Sequence, residues 1–397
     1  MVGEQNLSGG TSERESKPTL ADGAFVDEVR RFLRAALTEN LRRAGRNTIG
    51  VHSDIEACRT WHRRLYEKGW IAPAWPKAYG GMGWSPAQRL IFERECADND
   101  APVLFAGGVR NVGPLLIALG TPGQRERYLR PILDGSDLWC QGFSEVGAGS
   151  DLATVQTRAE RAGGHYIVDG SKIWTTGAHL ANRMFALVRT AVGARPQAGI
   201  TFLLIDMSSP GVAVKPIRSI AGEEEFCEVR FDNVRVPVAD RVGPENEGWA
   251  AARLLMRFAR ASNTTTGLLR RAFRHAAAVA NSHAPSDSDL MLALSELKRQ
   301  LEVFESLELS ILSSTAQDGV TDAQASMMKT LATELHQRIT EAALDAAGPL
   351  AAPTPRDTGP HYLNEGAFAT RKYLATRAAS IYSGTNETHR NLVARSL

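Results

Sequence analysis

In the first third of the chain, apolar residues recur every three or four positions: Phe25, Val29, Leu33 and Leu37, then Ile55, Cys58, Trp61 and Leu65 ahead of Gly69. That spacing places one buried stripe along a helix, so residues 22–138 read as an N-terminal helical domain. Between Trp139 and Gly243 the period changes. Short β-rich runs (RMFALV, GITFLLID, GVAVKPI and EVRFDNVRVPV) are separated by Gly, Pro, Asp and Asn, and none alternates with a helical segment. Residues 139–243 therefore read as a β-barrel or sandwich. Helical spacing returns after residue 244: Leu290, Leu294, Leu297, Leu301 and Phe304 follow a 4-3-4-3 pattern, and a second helix from about Asp322 stops at Gly348-Pro349. Long neighbouring helices of this kind pack as a bundle, which makes residues 244–397 a C-terminal helical bundle domain. The expected fold is mainly α with a central β domain. Residues 1–21 lack any such pattern and read as a disordered tail.

Composition narrows the chemistry. The 397 residues are 43% hydrophobic, and 46 basic against 44 acidic side chains leave a net charge of +2, so no global field calls for nucleic acid or an anionic membrane. No apolar run reaches the ~18–20 residues of a membrane span, and the first residues have no signal-like apolar segment. Cys58, Cys96, Cys140 and Cys227 are widely spaced, which argues against a zinc ribbon or disulfide framework and for a cytoplasmic protein. Metal-binding HExxH, phosphate-binding GxxxxGK(S/T), nucleophile-elbow GxSxG and a strand-GxGxxG-helix unit are all missing. Of the nine histidines, His165 at a turn and His179 after a Thr-Thr-Gly run read as solvated or locally hydrogen-bonded, and no metal site is expected.

The densest unusual text is WCQGFSEVGAGSD, residues 139–151, followed by Lys172-Ile-Trp-Thr-Thr-Gly177. Gly147, Ala148 and Gly149 let the backbone approach a ligand, and Ser144, Ser150 and Thr176 offer hydroxyls. Trp174 supplies a flat apolar face. The combination suits a planar heteroaromatic ring with polar edges; on the residues alone, a glycine turn beside a core tryptophan fits equally well.

These segments resemble the flavin loop of acyl-CoA dehydrogenases, Ser/Thr-Glu-Pro-X-Ala-Gly-Ser-Asp, and their Lys-X-Trp-Ile/Thr-Ser/Thr strand. Here the loop reads Ser144-Glu-Val-Gly-Ala-Gly-Ser-Asp151, with Val146 in place of proline. Further matches run in family order: GWIAPAWPKAYGGMG at 69–83, Gly120-Thr-Pro-Gly-Gln124, Phe231-Asp-Asn-Val-Arg-Val-Pro237, Asn246-Glu-Gly-Trp249 and Ile381-Tyr-Ser-Gly-Thr-Asn-Glu-Thr-His-Arg390. The resemblance covers Asp22 to Leu397. It implies an acyl-CoA dehydrogenase-like fold whose C-terminal part is a four-helix bundle. It also implies an FAD site with Gln141, Phe143, Ser144, Gly149 and Ser150 on one side, Trp174, Thr175 and Thr176 on the other, and Thr385 and Glu387 approaching from the C-terminal loop. Ser150 and Arg260 are implied to line the substrate pocket, and relatives of this kind are homo-oligomers, usually tetramers.

In the family reaction a carboxylate removes the α-proton of an acyl-CoA thioester while the β-hydrogen leaves as hydride to the flavin. The family keeps that carboxylate at one of two positions. One is before Gly-Thr in the C-terminal loop, where this chain has Ser383; the other follows Phe in a Phe-Glu-Arg helix motif, where it has Ala259. A positioned base is worth ~10²- to 10⁴-fold, so three readings stay open: an ordinary dehydrogenase with an unrecognised base, the base-lacking subunit of a heteromeric dehydrogenase, and a relative turned to another flavin reaction such as monooxygenation. Glu145 and Glu387 lie in flavin motifs, but base-bearing relatives carry them too, so both read as structural. The acyl carrier and the electron acceptor are left open by the sequence.

Overall fold

The computed structural model describes residues 23–260, 266–314, 320–351 and 365–396. The expected tail at 1–21 lies outside them. Among the described residues six α-helices precede the sheet: α1 (Gly23–Ala36), α2 (Glu39–Arg46), α3 (Ile55–Lys68), α4 (Pro86–Asp98), α5 (Gly113–Leu119) and α6 (Pro122–Asp134). Their ends follow local chemistry. Asp54 caps α3 by accepting the N–H groups of Glu56 and Ala57, and Gly69 closes it at φ 80°. The Gly-Thr-Pro-Gly-Gln text is a capping box: the Thr121 hydroxyl accepts the Gln124 N–H, and the Gln124 side chain accepts the Thr121 N–H. The amide of Gln124 then donates to Ala239 O and Arg241 O, both at 2.8 Å, fastening α6 to the β domain. Between α4 and α5 the residues Gly107–Val112 form a π-helical turn, where the Trp75 indole N–H meets the Val109 carbonyl at 2.8 Å.

Eight strands follow: β1 (Trp139–Gly142), β2 (Arg158–Ala162), β3 (His165–Thr176), β4 (Arg183–Arg189), β5 (Ile200–Asp206), β6 (Val212–Ile217), β7 (Phe226–Pro237) and β8 (Arg241–Val242). The sheet runs β6-β7-β3-β2-β4-β5-β8, with β1 parallel to β4. Continuous apolar text in β4 has a physical cause. Met184, Ala186 and Val188 face a core inside the curved sheet with Leu203, Val229 and Phe231, while Phe185 and Leu187 face the N-terminal helices beside Leu115 and Ile132. A strand buried on both sides has no polar alternation. His165 opens β3 as its first residue.

After the sheet come α7 (Gly248–Arg260), α8 (Thr266–His283), α9 (Ser288–Ser314), α10 (Asp322–Ala347), α11 (Glu365–Thr376) and α12 (Asn386–Ala394). All five apolar residues of the 4-3-4-3 run are buried in α9, packed with Leu269, Val279, Leu335 and Ile339 of α8 and α10. No described helix is long and apolar enough to cross a membrane.

One core position breaks the pattern. Glu308 of α9 is 8% exposed and accepts hydrogen bonds from the N–H and hydroxyl of Thr266. Burial pushes its pKa up to about 7; the Thr266 bonds oppose the shift, and the Glu93 and Glu305 charges add to it. Between the ordinary carboxylate range and pH 7 the folded protein holds a proton that the unfolded chain has lost, so stability falls as pH rises through that window. Glu308→Gln keeps an acceptor for Thr266 without the charge. It should gain on the wild type by up to on the order of 3 kcal/mol at pH 8 relative to pH 4.5. Urea denaturation at both pH values checks this; an equal effect at the two would count against it.

Candidate active site

Residues 144–151 and the end of β3 are joined by main-chain and buried side-chain bonds. Ile173 N–H donates to Ser144 O at 2.9 Å, and Glu145 and Ala148 exchange main-chain bonds of 2.9 and 3.1 Å that pinch a tight turn over Val146 and Gly147. Behind the turn, Lys172 is completely buried. Its ammonium donates to the Glu145 carboxylate at 2.7 Å, to Leu187 O at 2.6 Å and to Phe143 O at 3.3 Å. The Glu145 carboxylate also accepts the N–H groups of Gln156 (2.6 Å) and Thr157 (3.0 Å). Burial lowers the Lys172 pKa to about 8, with Glu145 acting against it. The Glu145 carboxyl sits below its usual range because the charge and hydrogen bonds of Lys172, helped by Thr157 and Gln156, outweigh burial. Glu145 thus clamps the loop, in line with its expected structural role.

The same clamp turns Trp174 outward. Pairing of β3 with β7 slips between Lys172 and Thr175, and at this bulge Trp174 adopts φ 60°, a left-handed conformation that a bulky residue takes only when its surroundings impose it. Its ring is 58% exposed with one edge on Phe226 at 6.3 Å. Thr175 points the other way, 1% exposed, with a hydroxyl that has no hydrogen-bond partner. Thr176 and Ser144 are half-buried, and Gly149 and Ser150 are exposed. Added Cβ atoms at Gly147 and Gly149 would meet nothing within 4 Å. Gln141 lies half-buried in β1, paired with Phe185. Phe143 differs from the expectation of a side chain lining the cofactor: its ring is 3% exposed and packs on Phe185 and Phe202, leaving its main chain as its contribution to the loop.

The C-terminal loop approaches through Glu225. Gly177 N–H donates to Glu225 O at 2.8 Å, and the Glu225 carboxylate accepts the Val51 N–H. Burial, together with that carboxylate, raises the pKa of the Tyr382 hydroxyl. Ser383 and Gly384 have φ 57° and 91°. The loop is gripped from behind by α10 and α12: Lys329 donates to Gly384 O (2.8 Å) and the Asn386 side-chain oxygen (2.9 Å). One ring nitrogen of His389 lies 3.0 Å from Ser383 O and the other 3.0 Å from the Ser326 hydroxyl. Burial lowers the Lys329 pKa to about 8. Thr385 caps α12 by accepting the Thr388 N–H, and Glu387 is exposed on the first turn, its carboxyl lowered by the helix N–H groups and Thr385. The side chains of Ala259 and Arg260 lie outside the described residues. Lys329, His389, Asn386 and Glu225 escaped the sequence reading; for Lys329, Asn386 and His389 the available signal was polar residues on the buried faces of helices, while Glu225, just before β7, left none. His179 lies 3.1 Å from Cys227 Sγ, a local contact.

The site fits a flavin-like group. An exposed indole held out at strained φ gives an apolar plane, the open glycines admit a close ligand, and the buried Thr175 hydroxyl lacks a partner.

Comparison with known proteins agrees. Three family models match: acyl-CoA dehydrogenase N-terminal domain over residues 21–136, middle domain over 140–234 and C-terminal domain over 246–397. The chain is 36% identical over 381 residues to acyl-CoA dehydrogenase IpdE1 of Mycobacterium tuberculosis, covering 93% of this chain and 96% of that protein. Among solved structures it resembles the Tcur3481-Tcur3483 steroid ACAD (TM-score 0.82, 27% identity, 96% and 98% covered). It also resembles the ChsE4-ChsE5 complex from Mycobacterium tuberculosis (TM-score 0.78, 28% identity, 97% and 99% covered).

The clamp makes a direct prediction. Glu145→Ala or Lys172→Met should each cost ~3–5 kcal/mol, because each strands a buried charge, while the double variant should cost less than the sum. Denaturation midpoints of the three proteins decide it; additive losses would show that the two groups do not act as a pair.

Proposed function

Because the chain belongs to the acyl-CoA dehydrogenase family, we propose that it binds FAD and serves as the flavin-bearing chain of an acyl-CoA dehydrogenase whose general base comes from a second, related chain. The observation that carries this reading is the contrast between an intact cradle and a missing base. The outward Trp174 beside the half-buried Ser144 and Thr176 supports a flavin cradle, while the loop position that would hold the base carries Ser383. FAD, when bound, supplies a hydride acceptor for the β-hydrogen of the acyl thioester. Trp174 offers the plane that orients it, and the main chain at 144–150 offers polar edges. Removal of the α-proton needs a side chain that is basic near neutral pH, and a serine hydroxyl is not one.

Other described carboxylates near the site are already committed. Glu145 is tied to Lys172 and two N–H groups, Glu225 accepts the Val51 N–H, and Glu387 lies exposed on the first turn of α12. Exposed apolar side chains on the segments around the cradle, Val146, Trp174, Ile220 and Ile381, suit coverage by cofactor and another chain. The similar ChsE4-ChsE5 structure is a complex, which supports the two-chain reading.

Anaerobic titration of the purified chain with acyl-CoA thioesters should leave the visible flavin band in place. Bleaching should appear when a family member bearing the base glutamate is co-purified. Ser383→Glu in the lone chain should then raise the reduction rate by ~10²-fold or more. Bleaching of the unaltered lone chain would overturn the two-chain reading and point to a base within it; absence of flavin from freshly purified protein would overturn the dehydrogenase reading itself.

A further inference from the structure

A second site lies within the helical part of the molecule. An internal cavity of about 30 Å³ is enclosed by α8, α10, α11 and the segments around Thr48 and Val103. That is room for ~2 waters or one small polar group. Much of its wall is apolar, from Leu268, Ala272, Ala343 and Phe368 among others, yet Arg46, Arg271, His275 and Lys372 also line it.

Lys372 is 9% exposed; two of its three donors go to Thr48 O (3.1 Å) and Ile49 O (2.8 Å). Arg271 donates through its terminal nitrogens to Gly45 O and Ala101 O, while its buried Nε–H has no partner. The ring of His275 stands edge-on to Phe368 at 4.6 Å, and its buried Nε2 is also unpartnered. No acidic side chain lines the cavity. The neighbouring carboxylates are engaged elsewhere: Asp100 with Arg274 (2.6 Å) and Arg46 (3.3 Å), and Glu225 with the Val51 N–H.

Three cations, Arg46, Arg271 and Lys372, and no anion line the cavity; Glu225 and Asp100 act on them only from outside it, and the buried Arg271 Nε–H and His275 Nε2 meet no partner within it. We propose that this cavity is a carboxylate-binding site, taking the carboxylate end of a short apolar chain between Lys372, Arg271 and His275. The chain packs on Leu268, Ala343 and Phe368, and the oxygens accept from the three nitrogens. Burial, helped by the Arg271 charge and opposed by Glu225 and Glu223, lowers the Lys372 pKa to about 8; a bound carboxylate opposes that shift, so occupancy favours the ammonium form. The His275 ring, lowered to about 4 by burial, is neutral near pH 7 and donates through Nε2 in the appropriate tautomer.

The carboxylate can belong to a free acid or to the far end of an acyl group in the flavin site, and the test separates the two. The full-length flavoprotein is melted with sodium butyrate or acetate against sodium chloride at equal ionic strength. In parallel, binding of hexanoyl-CoA and adipoyl-CoA, equal in length but differing by a terminal carboxylate, is followed by the flavin spectrum. A free acid raises the melting midpoint in a saturable way while the two thioesters bind alike. An acyl end makes adipoyl-CoA bind roughly tenfold or more tighter than hexanoyl-CoA. Ala343→Leu, which fills the cavity and leaves the cations in place, abolishes either response, and Lys372→Met weakens it by roughly tenfold. No response in either arm, or an unchanged one in Ala343→Leu, overturns the proposal and leaves an ordinary water site. The free-acid arm needs no dehydrogenase chemistry, and the visible flavin band reports separately on that reading.

Discussion

Much of the site's form follows from one fact: the ammonium of Lys172 is wholly enclosed. A charge there cannot be left without partners, since isolation in the interior costs several kcal/mol. Its three donors accordingly reach Glu145, Phe143 O and Leu187 O, drawing the 143–148 turn, β3 and β4 to one point. With residue 172 committed inward, the bulge after it presents Trp174 to the surface and buries Thr175. The exposed indole is thus the outer consequence of an inner electrostatic requirement.

The coarse plan was legible from spacing. The leucines of α9, the helical stripe of α1 and the four β-rich runs each fall on the element their period implies, because burial on one face or both leaves a local imprint on sequence. Motif text pointed to the loop and strand that the structure joins through Ile173 N–H and Lys172. What stayed hidden were pairings between residues far apart in the chain. Gln124 bonding to the carbonyls of 239 and 241, Lys329 reaching residue 384, and Glu225 holding the N–H of Val51 leave no periodic trace. Nor could spacing show that Phe143 turns its ring into the core, since the residue sits in a motif that reads as cofactor-facing.

Glu225 gives the two halves of the site a common support. Its main-chain oxygen receives Gly177 at the end of β3, its carboxylate receives Val51, and Tyr382 of the C-terminal loop lies in its field. Gly50 lies close beside it: a Cβ there would push the Glu225 carboxylate off the Val51 N–H. Lys372, whose ammonium holds the carbonyls of Thr48 and Ile49, anchors the same segment from the other side. The strand, the loop and the helical interior are therefore mechanically continuous through residues 48–51.

The C-terminal loop is gripped almost entirely by its backbone: His389 takes the carbonyl of Ser383, and Lys329 takes that of Gly384. Carbonyl oxygens are the same whatever side chain they accompany. Shape at this point is consequently written in residues 329, 386 and 389 rather than in the side chain at 383. A lineage with this arrangement can change the side chain at that position by a single codon with no refolding of the loop, so duplicated copies of one gene are free to diverge there while remaining superimposable.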